Sequence, residues 1–278
     1  NVIQYITIAS AGNATDFGDL TAAKGETGAT SSTIRCLWGG GSSSTNVIEY
    51  VTIATTGNAA DFGDLTQGRL SLSSTGSTTR AVFGGGYVSA PNTFTNTIDY
   101  VTIASAGNAA DFGDLTQVKF GLQATSNSLR GIFCGGQTPT FQNTIGYVTI
   151  SSTGNAADFG DMTDSRTEHD GLSTQTRGVF TGGYKQPAFR DFIDYITISS
   201  TGDAKDFGDL TNIRASQGQG SGASTTRGIT AGGQRPGGDT NTIEYITVAT
   251  TGNAADFGDL FTGQSMNGFA TGTTAIKM

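Results

Sequence analysis

Apolar and polar positions alternate in short runs along this chain, and the runs recur. The stretch Asn96-Thr-Ile-Asp-Tyr-Val-Thr-Ile103 is rich in β-branched and aromatic residues, the composition of a strand. On a strand Ile98, Tyr100 and Thr102 share one face and Thr97, Asp99, Val101 and Ile103 the other. A turn, Ala104-Ser-Ala-Gly107, follows, with glycine available for a positive φ. Asn108 to Leu115 reads as a second strand-like piece. A third, more polar piece is seen in Arg69-Leu-Ser-Leu-Ser-Ser-Thr75. The fourth, Thr79-Arg-Ala-Val-Phe-Gly-Gly-Gly86, is apolar and ends in glycines.

This four-piece unit occurs six times. Its most constant text is Asn108-Ala-Ala-Asp-Phe-Gly-Asp-Leu115, centred on Phe17, Phe62, Phe112, Phe159, Phe207 and Phe257 at spacings of 45, 50, 47, 48 and 50 residues. Tyr5, Tyr50, Tyr100, Tyr147, Tyr195 and Tyr245 recur in step. Four short strands per period of this length predict a β-propeller blade. The expected fold is all-β: a single domain, residues 1–278, forming a six-bladed propeller of four-stranded antiparallel blades. Residue 1 falls at the start of a third strand and Thr274–Met278 reads as a second strand. The N- and C-terminal strands are therefore expected to share one blade and close the ring, leaving no free sheet edge at the seam.

The unit resembles the kelch repeat. The double glycine Gly85-Gly86, the aromatic Tyr100 of the next strand, Phe112 in the fourth strand and the basic Lys119 stand where kelch blades carry such residues. Phenylalanine replaces the tryptophan usual in kelch fourth strands. The Asp-Phe-Gly-Asp-Leu wording is similar to that of kelch-like repeats in structural and tail-fibre proteins of marine bacteriophages. That resemblance implies a virion or extracellular location, with a host cell-surface glycan or protein and other virion proteins as partners.

Composition narrows the chemistry. The net charge is −8, and ten of the fifteen basic residues occupy two repeat positions. They form no basic stripe of the kind nucleic-acid binding requires. No apolar run is long enough for a membrane helix, so neither nucleic acid nor membrane insertion is expected. Cys36 and Cys134 sit at different places in their repeats and read as buried free thiols. His169 is the only histidine and reads as a surface or channel residue without a catalytic partner. No cofactor is implied and no metal site is assigned. A calcium site at Asn13, Asp16 and Asp19 would need a bend at Gly18.

The repeat fixes two sets of opposite charges. Arg35, Arg80, Arg130, Arg177 and Arg227 recur in the fourth piece, and Ala275 takes their place in the sixth copy. Lys24, Arg69, Lys119, Arg166 and Arg214 recur after the motif. Facing them in number are the motif aspartates, among them Asp16, Asp61, Asp111, Asp158, Asp206 and Asp256. A structural ring of salt bridges is expected, because a guanidinium fork suits a carboxylate.

What fails to repeat is informative in another way. Between the glycines and the tyrosine strand lie segments of variable length that hold all four prolines and several unpatterned aromatics. In a propeller they emerge together on one face. Loops on a rigid scaffold are common binding surfaces. Tyr87, Phe94, Phe141, Tyr184, Phe189, Arg190 and Arg235 are the expected ligand-binding residues. The function expected is a non-enzymatic binding or structural module of a phage appendage. One alternative is a glycan-active hydrolase or lyase in the central channel, whose acids would be Glu26, Asp164, Glu168 and Asp170. Another is a purely structural virion decoration.

Overall fold

In the strand Thr97–Thr102, Ile98, Asp99 and Val101 are all buried and Tyr100 is half-buried. Both faces are therefore covered, as in a sheet packed between two others. This computed structural model describes residues 1–215, 221–263, 270–271 and 276–277. Ala275 and the rest of Thr274–Met278 apart from Ile276–Lys277 lie outside the described residues, as do residues 216–220.

Each repeat contributes to an antiparallel sheet with the same strand order. One such sheet runs Ser73–Gly76, Arg80–Gly84, Thr97–Thr102, Ala110–Asp114 from its first strand to its last. Among the described residues the larger sheets are five of four strands and one of five, the extra strand being Tyr184–Lys185, and three further pairs of short strands lie beside them. The first and last segments of the chain share a sheet: Val2–Ile6 pairs with both Thr15–Asp19 and Ile276–Lys277. The first strands of the sheets neighbour one another in a circuit, from Ala270–Thr271 through Gly28–Ser31, Ser73–Gly76, Gln123–Ser126, Asp170–Ser173 and Ser221–Ala223 back to Ala270–Thr271. One short 3-10 turn, Ser42–Ser44, is the single helical element among the described residues. The chain is an all-β propeller. None of its described helices is long and apolar enough to cross a membrane.

The core is a set of hydrophobic layers between neighbouring sheets, and each layer contains one motif phenylalanine. Ile6, Ile8, Phe257 and Leu260 pack in one of these, joining the two ends of the chain. The motif phenylalanine reaches the core through a bulge. Ile98 pairs with Gly113 and Asp99 with Asp111, so Phe112 is the extra residue on its strand. The bulge leaves Asp111 and Asp114 both exposed on either side of a buried ring.

The motif also joins one sheet to the next at the outer rim. Asn108 Oδ1 accepts the Asp64 N–H at 3.1 Å, and Asn155 Oδ1 accepts that of Asp114 at 3.0 Å. Around them the Gly107 N–H donates to the Phe62 carbonyl, and the Ala109 N–H to that of Asp64. The same links cross the seam, where Asn13 Oδ1 accepts the Asp259 N–H at 3.2 Å and the Gly12 N–H donates to the Phe257 carbonyl. Backbones approach so closely here that a Cβ on Gly113 would lie 2.6 Å from the Gly154 carbonyl. With φ at +141°, Gly113 is glycine for both reasons.

Candidate functional site

The variable segments are ordered hairpins. Tyr87–Val88 pairs with Thr93–Phe94, Gln137–Thr138 with Thr140–Phe141, Tyr184–Lys185 with Ala188–Phe189, and Gln234–Arg235 with Gly238–Asp239. Isolated bridges tie each hairpin to the chain leading into an inner strand: Leu70 with Tyr87, Phe120 with Gln137, Thr167 with Tyr184 and Ala215 with Gln234. The hairpins start from paired glycines such as Gly85 and Gly86, with φ +67° and +113°.

Most of the aromatics expected at this face come together, in two half-buried groups. Phe94 stacks on Phe120 at 4.6 Å between centroids, and Tyr87 touches both rings. Tyr184 packs against Phe141 at 6.1 Å and Phe189 at 5.3 Å. Phe120 was not among the expected residues, because it sits directly after the repeated Lys119 and reads as part of the scaffold. It connects the groups: Phe120 bridges to Gln137, which pairs with Phe141. The result is an aromatic ridge over three consecutive sheets. At its far end Asp164 accepts from Lys185 Nζ at 2.5 Å and Arg190 Nε at 3.2 Å. Burial alone would raise the Asp164 carboxyl, but hydrogen bonds and charge from Lys185 and Arg190 hold it below its ordinary value. Arg235 is exposed on its own hairpin, outside both aromatic groups.

The expected salt-bridge ring takes a different form. Arg35, Arg80, Arg130, Arg177 and Arg227 make no ion pair among the described residues. Each guanidinium lies 4.6–4.7 Å over a tyrosine ring of its own sheet: Tyr50, Tyr100, Tyr147, Tyr195 and Tyr245. Each Nη1 also donates to a carbonyl of the next sheet, those of Ile103, Ile150, Ile198, Val248 and Ile8. Asp16, Asp61, Asp111, Asp158, Asp206 and Asp256 are exposed. An aspartate on the rim keeps its hydration, whereas the arginines sit between sheets where ring faces and carbonyls are at hand. The bend that a calcium site required is present, but Asn13 Oδ1 is engaged by the Asp259 N–H. Among the described residues no cluster of three or more His, Cys, Asp or Glu could hold a metal.

The ion pairs belong to the other basic set. Lys24 meets Glu49 at 2.7 Å, Arg69 meets Asp99 at 3.0 Å, Arg166 meets Asp194 at 2.8 Å, and Arg214 is joined to Glu244. All eight side chains are almost wholly buried. The acids directly precede the repeated tyrosines. Each also accepts from the neighbouring segment: Thr66 Oγ1 donates to Asp99 at 2.5 Å and Thr163 Oγ1 to Asp194 at 2.6 Å.

His169 is not at a surface. It is 2% exposed, packs edge-on against Phe180, and places Nε2 3.2 Å from Cys134 Sγ. Burial first, then the charges of Arg166 and Lys119, push its pKa well below the usual range, so the ring is neutral. A Cβ on Gly135 would collide with this imidazole, as one on Gly40 would with Leu72, the residue in the position of His169 in its own repeat. Cys36 and Cys134 are buried and form no disulfide.

A cavity of about 350 Å³ occupies the centre of the ring, at the end opposite the hairpins. Its lining is hydroxyl-rich, with Thr33, Thr78, Ser128, Thr176 and Thr225 from the turns that end the inner strands. None of the acids considered for channel chemistry lines it. Asp164 is held by Lys185 and Arg190, Asp170 accepts from Thr230 Oγ1 at 2.9 Å, and Glu26 is bonded to Ser71. Glu168 sits beyond the cavity too, its N–H donating to the Gly121 carbonyl.

No family model matches the chain, and no curated protein matches it in sequence. Among solved structures it is similar to the protein reported as "Structure of YjhT", with a TM-score of 0.72 at 9% identity, over 93% of this chain and 94% of that one. At that identity the likeness concerns fold alone, and it agrees with the sheet arrangement: this chain is a β-propeller.

Proposed function

We propose that this protein is a non-enzymatic binding module, a six-bladed kelch-like propeller that engages its partner through the hairpin face. The blade count rests on the six larger sheets, each built on four strands in one repeated order, and on six motif phenylalanines. The observation that carries the function is the aromatic ridge of Tyr87, Phe94, Phe120, Phe141, Tyr184 and Phe189. These rings break the repeat, sit half-buried on ordered hairpins and are bordered by Arg190. Rigid aromatics of this kind supply contact area at low entropic cost, and they suit either sugar faces or a protein surface. The Asp-Phe-Gly-Asp-Leu wording favours a phage appendage as the setting, with a host surface glycan or envelope protein as the ligand.

The test is adhesion of the full chain to cells of candidate hosts. The double variant Phe94→Ser, Phe189→Ser is expected to keep its melting transition and to lose adhesion at least tenfold. Undiminished adhesion would overturn the assignment of this face. Release of reducing sugar from host polysaccharide by the unaltered protein would overturn the non-enzymatic reading.

A further inference from the structure

Seven residues past the motif phenylalanine stand Lys24, Arg69, Lys119, Arg166 and Arg214, and at the seam Gln264. Directly before the next tyrosine stand their partners: Glu49, Asp99, Gly146, Asp194, Glu244 and, at the seam, Gln4. Charge meets charge in four places. At the seam the sequence sets glutamine opposite glutamine, with Gln264 outside the described residues. Lys119 alone faces a glycine.

The surroundings of Lys119 are those of the paired cations without the carboxylate. It is 1% exposed. Its Nζ reaches only Thr144 O and Thr144 Oγ1, both at 3.5 Å, the outer limit of a hydrogen bond. The adjacent Cys134 thiol is pushed up by burial and supplies no negative charge. A side chain at Gly146 would fit without a clash: an added Cβ would make ordinary contacts with Ala157 O at 3.6 Å, Ala156 Cβ at 3.8 Å and Thr116 Cγ2 at 3.9 Å. Thr116 occupies the position of Thr66 and Thr163, whose hydroxyls bind Asp99 and Asp194. Thr116 is exposed, so the space over Gly146 borders solvent. A buried ammonium without a counter-charge is costly, and here the residue that carries the carboxylate in the paired repeats is a glycine.

We propose that the space over Gly146 is a binding site for a small carboxylate anion of the formate or acetate class. The anion takes the position of the aspartate side chain found in the other repeats, between Lys119 Nζ and the Thr116 hydroxyl. The site is independent of the hairpin ridge.

The experiment is denaturant unfolding of the full chain at fixed ionic strength, with chloride replaced stepwise by formate or acetate. For the unaltered protein the folding equilibrium constant should rise in proportion to one plus the ratio of anion concentration to its dissociation constant, about tenfold once the anion reaches ten times that constant. Gly146→Asp should be more stable at the outset and insensitive to the exchange. Lys119→Met should also be insensitive. The ζ-nitrogen NMR resonance of Lys119 in the unaltered protein should shift with formate, a readout that needs no variant. Equal responses of the unaltered protein and Gly146→Asp would overturn the proposal, as would an unmoved Lys119 resonance. A response to chloride as large as that to formate would overturn the carboxylate assignment.

Discussion

At the outer rim, Asn58, Asn108, Asn155 and Asn253 each cap an N–H of the preceding sheet with almost the same geometry, 3.0–3.1 Å. At the other end of the same strands, the hairpins after Gly85, Gly135, Gly182 and Gly232 differ in length, proline content and aromatic content. The rim turns are hydrogen-bonded to a neighbouring backbone through their N–H groups and the asparagine side chain, so the motif residues that make those bonds are held in place. The hairpins are anchored only at their bases and end in solvent, where loop length costs little. Constancy in this chain marks backbone proximity, and variation marks freedom to meet a partner.

The largest effect is expected at the base of the hairpin end, which the comparison requires to be as intolerant as the rim. Arg69→Ala leaves Asp99 buried without its cation and should cost about 4 kcal/mol in denaturant unfolding. A loss like that of a surface site would show that the pair is not buried in solution. Next comes the rim itself. Gly113→Ala should cost about 2 kcal/mol through its contact with Gly154 and its positive φ. Gly107→Ala, with nothing within 4 Å of the added Cβ, should change stability by less than about 0.5 kcal/mol.

The third prediction concerns pH. His169 is held neutral in the fold and takes up a proton near pH 6.5 when unfolded. Its contribution is therefore fully present above that pH and is lost as pH falls from 6.5 toward the depressed folded value. The slope is about 1.4 kcal/mol per pH unit for one proton. His169→Leu should flatten the unfolding free energy over this window relative to the unaltered protein, and an unchanged slope would refute the buried neutral ring. Arg130→Ala should cost about 1–2 kcal/mol, the scale of one ring contact and one charged hydrogen bond, and less than Arg69→Ala. The smallest effect belongs to the hairpin tips. Two residues inserted between Pro236 and Gly237 should shift stability by less than about 0.6 kcal/mol, measured as a melting change. A larger loss would break the contrast between the two ends.

Much of the scaffold was legible because the repeat carries it. The tyrosine strand expected at Asn96–Ile103 is observed at Thr97–Thr102, and the glycine-ended piece at Arg80–Gly84. The polar third piece was less legible. Arg69–Thr75 was expected to be extended, but the strand is Ser73–Gly76; Leu70 is bridged to Tyr87 and Ser71 has φ +50°. Its run of serines and threonines has no face preference to fix a strand start. The ridge residues were legible as departures from the repeat, except Phe120, hidden beside a residue that does repeat.

The charges show where sequence stops. Two acidic sets share one period, the motif aspartates and the residues before each tyrosine, and periodicity alone cannot choose between them. A signal was present in the seam, where Gln264 loses its charge together with Gln4. By itself the sequence determined the number of repeats, the succession of strand-like pieces within each and the place of variation, because these follow from local pattern. Only the tertiary structure decided which acid meets which base, that the arginines lie over tyrosine rings, and that His169 is buried. Those outcomes depend on what the next sheet brings into contact, and neighbouring sheets meet across some 45–50 residues of chain.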